Sequence, residues 1–311
     1  MKNGIVVIGE TFVDIKGFPT DLYIPEGRNV GRIEYIHGGV CRNLVEDVAN
    51  VELRPTFVTI VDDTPLGIDV VKKLIDHKVN VDYIVTKPDG MGTWLAIFDN
   101  NGDVAGSISQ RPNMMPLFDL LEEKGDEIFG NADSIIIEAD LDTPIIKKAL
   151  QLSQTHNKKI YAVISNMSLA AERRDLLQRF SCIICNQLEA SIFFADDYSK
   201  KTPEELRDIV ASKVSGANLP TMIVTMGSQG SIYAEANGNK GVCPAKKIHV
   251  KDTTGAGDSF CAGVVIGLTY GKDLPGAIEI GTTLAASVIS SSESVCPRFQ
   301  PRELGLDIDV K

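Results

Sequence analysis

Apolar runs rich in β-branched residues alternate along this chain with stretches whose apolar positions recur every three or four residues. Residues 6–8 read as a first strand, and Val40, Leu44, Val45 and Val48 then mark one face of a helix. Residues 57–61 form a second apolar run, followed by a helical pattern over about 66–75. Further buried strands are predicted at 134–137, 160–164, 182–185 and 222–225, with helices between them. Strands that are apolar throughout and alternate with helices predict an α/β fold, a mainly parallel central sheet with helices on both faces.

Two stretches break the rhythm. Residues 93–99 and 104–109 flank Asp99-Asn100-Asn101-Gly102, a sequence suited to closing a hairpin. The stretch 15–36 contains Pro19, Pro25 and several glycines among short alternating segments such as Arg32-Ile33-Glu34-Tyr35-Ile36. Both read as antiparallel strands outside the main sheet. No repeat, low-complexity tract or composition break marks a linker. Residues 1–311 are therefore expected to form one α/β domain with a small β-strand lid inserted at about 15–36 and 92–110.

Size and composition agree with that picture. A chain of 311 residues with 43% hydrophobic and 23% charged residues can bury a large core, which excludes disordered and collagen-like classes. The apolar runs are far shorter than the roughly 20 residues that span a bilayer, and no secretory signal is read at the start. A soluble, cytoplasmic protein is expected. The net charge of −11 disfavours non-specific binding to nucleic acid or anionic lipid, because such binding needs clustered Lys and Arg. Local backbone dipoles can still hold a small anion. Of six cysteines only Cys182 and Cys185 form a C-x-x-C pair, and residues three apart on a strand point to opposite faces, the wrong geometry for a shared metal.

The chemistry is concentrated in Asp252-Thr253-Thr254-Gly255-Ala256-Gly257-Asp258-Ser259-Phe260. Two glycines let successive N–H groups converge on one concavity, and the small and apolar residues that follow start a helix at about Gly255 or Ala256. The positive end of that helix favours an anion at the same spot. Asp258, an acid at that mouth, would repel a phosphate. It is better placed to accept a proton from a hydroxyl that attacks phosphorus. A helix cap formed by Asp252 and Thr254 is the plainer reading of the same residues.

This stretch resembles the C-terminal motif of the ribokinase-like, PfkB-type carbohydrate and nucleoside kinases. Gly38-Gly39-Val40-Cys41-Arg42-Asn43 is similar to the family's double glycine followed by Asn. Asn186-Gln187-Leu188-Glu189 resembles the N-x-x-E element, Thr225-Met226-Gly227-Ser228-Gln229-Gly230 the T-x-G-x-x-G turn, and Gly9-Glu10 with Asp14 the end of the first strand. The resemblance implies a ribokinase-like fold and an ATP-dependent kinase that phosphorylates a hydroxymethyl group of a sugar or nucleoside. It makes Asp258 the general base and the N–H groups of Gly255, Ala256 and Gly257 the anion hole. Asp14, Gly38, Gly39 and Asn43 would grip the acceptor, and Thr225, Gly227 and Gly230 would line the nucleotide. Asn186 and Glu189 would hold Mg²⁺, most of it through water, since this ion dehydrates reluctantly. Asp252 and Thr254 would hold a monovalent cation, K⁺ in many relatives. A homodimer through the lid strands is implied as well.

The double-glycine segment is similar to the G-G-V-A-R-N form of pseudouridine kinases, and Ser292-Glu293-Ser294-Val295-Cys296-Pro297 resembles another segment of those enzymes. A nucleoside phosphorylated at its 5′-hydroxyl, pseudouridine among the candidates, is the expectation. A ribokinase- or fructokinase-type sugar kinase is the alternative, and an inactive nucleotide-binding regulator a further one. Rival folds fail on residues: no G-x-x-x-x-G-K-[ST] is present, and Gly9 to Asp14 lack G-x-G-x-x-G. Two segments depart from the family. Asp62 stands at a glycine position, and Ser165-Asn166-Met167-Ser168 lacks the usual acid. Asn186 and Glu189 equally suit a capping box, and Arg42 a surface residue or a partner for Glu46.

Overall fold

The computed structural model describes residues 4–308. The main sheet runs through β1 (Gly4–Ile8), β4 (Thr56–Val61), β5 (Ile84–Thr86), β8 (Ala132–Glu138), β9 (Ile160–Val163), β10 (Cys182–Asn186), β11 (Thr221–Thr225), β12 (Ser231–Glu235) and β13 (Lys240–Cys243). Their order across the sheet is β13-β12-β11-β10-β9-β8-β1-β4-β5. Pairing is parallel from β5 to β11, and β12 and β13 add an antiparallel edge that the apolar pattern did not predict.

Successive side chains of a strand enter opposite layers. Val6 and Ile8 pack into one core, with residues of α3 (Pro116–Gly130), α4 (Thr143–Thr155) and α8 (Pro203–Gly216). Ile5 and Val7 pack into the other, against α1 (Val40–Asn50), α2 (Pro65–Asp76), α9 (Ala256–Thr269) and α10 (Leu274–Ile289). Both faces are thus covered, which is why the six residues of β4 are all buried. Cys182 and Cys185 fall in different cores, and all six cysteines are free thiols. Short helices α5 (Met167–Ala171), α6 (Arg174–Leu177) and α7 (Gln187–Phe194) occupy the connections near β10. No helix among the described residues is long and apolar enough to cross a membrane.

A second sheet forms the lid, in the order β3 (Gly31–Gly38), β2 (Phe12–Pro19), β6 (Gly92–Phe98) and β7 (Val104–Gln110). It begins at Phe12, earlier than the sequence suggests, and its two hairpins join through a parallel β2–β6 pairing where only antiparallel strands were expected. Register sets its two faces. Ile36, Asp14, Trp94 and Ser109 lie side by side across the four strands, and all four face a cavity. The adjacent row, Tyr35, Ile15, Leu95 and Ile108, is on the opposite face, where Tyr35 and Ile108 are 59% and 69% exposed.

Asp62 is accommodated without strain. Its Oδ1 accepts from the N–H and hydroxyl of Thr64 at 3.1 and 2.5 Å, so a side-chain turn replaces the expected glycine.

Candidate active site

The lid and the carboxyl ends of the parallel strands enclose a cavity of about 820 Å³. Ligand sites of open α/β sheets lie at these strand ends. One end of the cavity is built around the first turn of α9. Gly255 precedes that helix with φ +78°, and a Cβ there would lie 1.9 Å from the carbonyl oxygen of Ser294. Only glycine fits. The N–H of Ala256 donates to the Thr253 carbonyl at 3.2 Å, so it is already engaged in the turn. Among the described residues the N–H groups of Gly255 and Gly257 have no acceptor, which leaves two of the three expected anion-hole donors open.

Asp258 stands in the same turn, half-buried at the cavity wall. Asn43 Nδ2 donates to its Oδ2 at 2.6 Å, and Asn43 Oδ1 in turn accepts from the Ser294 hydroxyl at 3.4 Å. Burial pushes the Asp258 carboxyl up to about 7, against the pull of the Asn43 hydrogen bond and the Arg42 charge. A carboxylate poised at neutrality is suited to general-base work. Beneath it, fully buried Asp47 of α1 accepts from Ser259 Oγ at 2.7 Å and from the Cys296 N–H at 2.6 Å. Helices α1 and α9 and the segment 292–296 are thereby locked together.

Gly38 and Gly39 lie where β3 passes into α1, and both line the cavity with Asp14 and Asn43. A Cβ on Gly38 would lie 2.4 Å from Asp14 Oδ1, so the glycine lets the carboxylate approach the chain. Burial raises the Asp14 pKa, with Lys16 and Arg42 opposing it. Arg42 itself is 2% exposed, pairs with Glu46 at 3.0 Å and donates to the His37 carbonyl. It is the Glu46 partner rather than a surface residue, and it braces the double-glycine turn from behind.

A second polar cluster lines the same cavity; of its members the motifs include only Glu10, beside Gly9, and give it no role. Glu10, Glu138 and Asp140 are each 2% exposed, at or just beyond the ends of β1 and β8. Arg111, just past β7, gives Glu10 Oε1 two hydrogen bonds, from Nη2 at 2.6 Å and Nε at 3.0 Å, and its Nη2 lies 3.4 Å from Asp140 Oδ2. Glu138 Oε2 accepts from the Glu10 N–H at 2.8 Å; burial and the Glu10 and Asp140 charges push its carboxyl up to about 8. Ser165 donates its N–H and hydroxyl to Asp140 at 3.1 and 2.9 Å. The segment that lacks its own acid is therefore bound to one just beyond β8.

Asn186, Glu189, Thr225, Gly227 and Gly230 lie outside this cavity, at the ends of β10 and β11, where Asn186 and Thr225 are register partners. Asn186 and Glu189 form a capping box: Oδ1 of Asn186 takes the Glu189 N–H at 2.9 Å, and Oε2 of Glu189 takes the Asn186 N–H at 2.7 Å. The second carboxylate oxygen of Glu189 has no partner among the described residues, and burial raises its pKa. One spare anionic oxygen fits a hydrated divalent cation. Asp252 and Thr254 are exposed on the loop into α9, and the Asp252 carboxylate takes the Thr254 N–H at 2.9 Å.

Comparison with known proteins agrees along the whole length. The profile described as pfkB family carbohydrate kinase matches residues 2–297. The chain is 33% identical over 294 residues to a guanosine-inosine kinase of Exiguobacterium acetylicum, covering 94% of this chain and 96% of that protein. It is 23% identical over 265 residues to a pseudouridine kinase of Escherichia coli (strain K12), covering 85% and 83%. The structure of Arabidopsis thaliana ribokinase complexed with ribose and ATP superposes with a TM-score of 0.83 at 18% identity, over 98% of this chain and 99% of that one, so the fold is ribokinase-like.

Proposed function

The chain belongs to the pfkB family of carbohydrate kinases, an ATP-using family acting on small sugars or nucleosides, and from that premise we propose that it transfers the γ-phosphoryl group of ATP to the 5′-hydroxyl of a nucleoside. A purine nucleoside is the first candidate, supported by the guanosine-inosine kinase relative. The observation that carries the reading is the Asp258–Asn43 pair beside the open N–H groups of α9. It sets a base next to an anion cradle at the wall of a cavity large enough for a nucleoside.

In this mechanism Asp14, Asn43 and the turn at Gly38 and Gly39 hold the ribose so that its 5′-oxygen faces Asp258. The Asp258 carboxylate takes the hydroxyl proton as that oxygen bonds to the γ-phosphorus and the bond to the ADP leaving oxygen breaks. The N–H groups of Gly255 and Gly257, with the positive end of α9, stabilise the charge on the transferring group; such positioning and electrostatics dominate phosphoryl transfer. Thr225, Gly227 and Gly230 line the nucleotide. Glu189, with Asn186, would hold Mg²⁺, which neutralises phosphate charge when bound. Asp252 and Thr254 would hold a monovalent cation beside the anion cradle. The lid excludes water, a competing acceptor. Free thiols throughout suit a reducing, ATP-rich compartment, the cytoplasm.

Pseudouridine is the second reading, favoured by the Gly38 to Asn43 segment. An ADP-release assay with inosine, guanosine, adenosine, pseudouridine, ribose and fructose, with ³¹P NMR of the product, separates the readings. A 5′-phosphorylated nucleoside is expected. Turnover confined to free sugars would overturn the proposal.

The outer face of the lid, with Ile33, Tyr35, Leu95 and Ile108 exposed, supports pairing with a second copy of this chain. Light scattering should give a dimer that L95K/I108K dissociates; a monomeric wild type would refute this.

A further inference from the structure

The nucleoside reading leaves open which base is accepted, and a second polar cluster of the cavity addresses it. Glu10, Arg111, Glu138 and Asp140 line the same cavity as Asp258, so a nucleoside with its 5′-hydroxyl at Asp258 has these groups available to its base. Arg111 pairs with Glu10 and Asp140, whereas Asp258 is hydrogen-bonded to Asn43. Among the described residues the two clusters share no hydrogen bond or ion pair, although they line one space.

The Arg111 guanidinium is fixed along one edge. Its Nε and Nη2 are engaged by Glu10 and Asp140, from the β1–β2 and β8 ends of the fold. Nη1 has no hydrogen-bond partner among the described residues, and the side chain, which lines the cavity, is 34% exposed. A guanidinium can only donate. The carboxylates that clamp it keep lone pairs and can only accept while ionised. This cluster therefore offers a fixed donor beside fixed acceptors. That pattern complements a base carrying a ring carbonyl next to a ring N–H, as hypoxanthine, guanine and uracil do. Adenine presents the reverse, an amino donor beside an unprotonated ring nitrogen.

We propose that Arg111 is the specificity-determining residue of the acceptor site, its Nη1 donating to a ring carbonyl oxygen of the base. The proposal rests on the nucleoside reading and narrows it to oxo-substituted bases. A hydrogen bond from a charged donor is worth about 10- to 100-fold in kcat/KM, and sites built to make such a bond reject analogues that lack the partner.

The test compares wild type and Arg111→Gln on inosine and on purine riboside, which is inosine without its 6-oxygen. Wild type should prefer inosine over purine riboside and adenosine by about 10- to 100-fold. Arg111→Gln should lose that preference by lowering kcat/KM for inosine while leaving purine riboside within about threefold. The ratio between two substrates in one preparation does not depend on the folded fraction, so poor folding cannot mimic the result. Equal losses on both substrates would make Arg111 only a brace for the lid and would overturn the proposal, as would an unchanged inosine preference. A wild type active on ribose but on no nucleoside would instead refute the underlying reading.

Discussion

Removing the hydrogen bond between Asn43 and Asp258 should move the enzyme's acid limb. The bond is short, 2.6 Å, and it pulls down a carboxyl that burial holds up at about 7. A hydrogen bond to a charged group contributes about 1.5–3 kcal/mol, equivalent to about one to two pH units. Since the bond favours the ionised form, Asn43→Ala raises the Asp258 pKa by that amount. At pH 7 the ionised fraction then falls from about one half to between about one tenth and one hundredth, costing about 5- to 50-fold in kcat/KM. The readout is kcat/KM against pH from 5.5 to 9.5, which reports the free enzyme and thus the state described here. Wild type should lose activity below about pH 7, and the variant below about pH 8–9. The alkaline plateau separately reports any lost grip on the ribose. Identical acid limbs in the two proteins would refute the reasoning, because Asp258 would then not be the group whose ionisation limits the rate.

Two further substitutions probe the frame around that carboxylate. Gly255→Ala places a methyl on a left-handed residue, 1.9 Å from the Ser294 carbonyl. Backbone strain of about 1–2 kcal/mol should lower Tm by about 1.5–3 °C, and the displaced turn should lower kcat by about 10- to 100-fold; an unchanged kcat would show that the turn's position does not matter. Buried Asp47 is held up at about 7, chiefly by desolvation, and therefore binds its proton more readily folded than unfolded. Its contribution is fully present below its unfolded pKa and is lost as pH rises through about 7. Urea titrations should show Asp47→Asn gaining on wild type by about 2 kcal/mol between pH 5.5 and 8, whereas a pH-independent difference would remove Asp47 from this role.

The main sheet was legible because its inner strands are buried on both faces. Continuous apolar runs such as β4 and β8 have no competing reading as solvent-facing strands. The antiparallel edge was less visible: β12 and β13 are short, and β13 contributes no fully buried residue. The lid hairpin declared itself through Asp99 to Gly102, but the β2–β6 pairing joins segments about 80 residues apart and leaves no local trace. At the site, glycine spacing and one acid identify the α9 turn, since few other jobs require that combination. The Asn43–Asp258 bond spans 215 residues and had to await the fold. Glu10, Arg111, Glu138 and Asp140 come from three separate stretches as single polar residues. One signal was available for two of them: acids at the carboxyl end of a predicted parallel strand stand where such folds bind ligands.

The central claim is that the Asp258 carboxylate removes the proton from the acceptor hydroxyl. Its most direct test is the turnover of Asp258→Asn with saturating ATP and the accepted nucleoside, alongside calorimetric affinity for a non-hydrolysable ATP analogue. The account predicts a kcat lower by at least about 100-fold with nucleotide affinity essentially retained. A variant that turned over at close to the wild-type rate would contradict it.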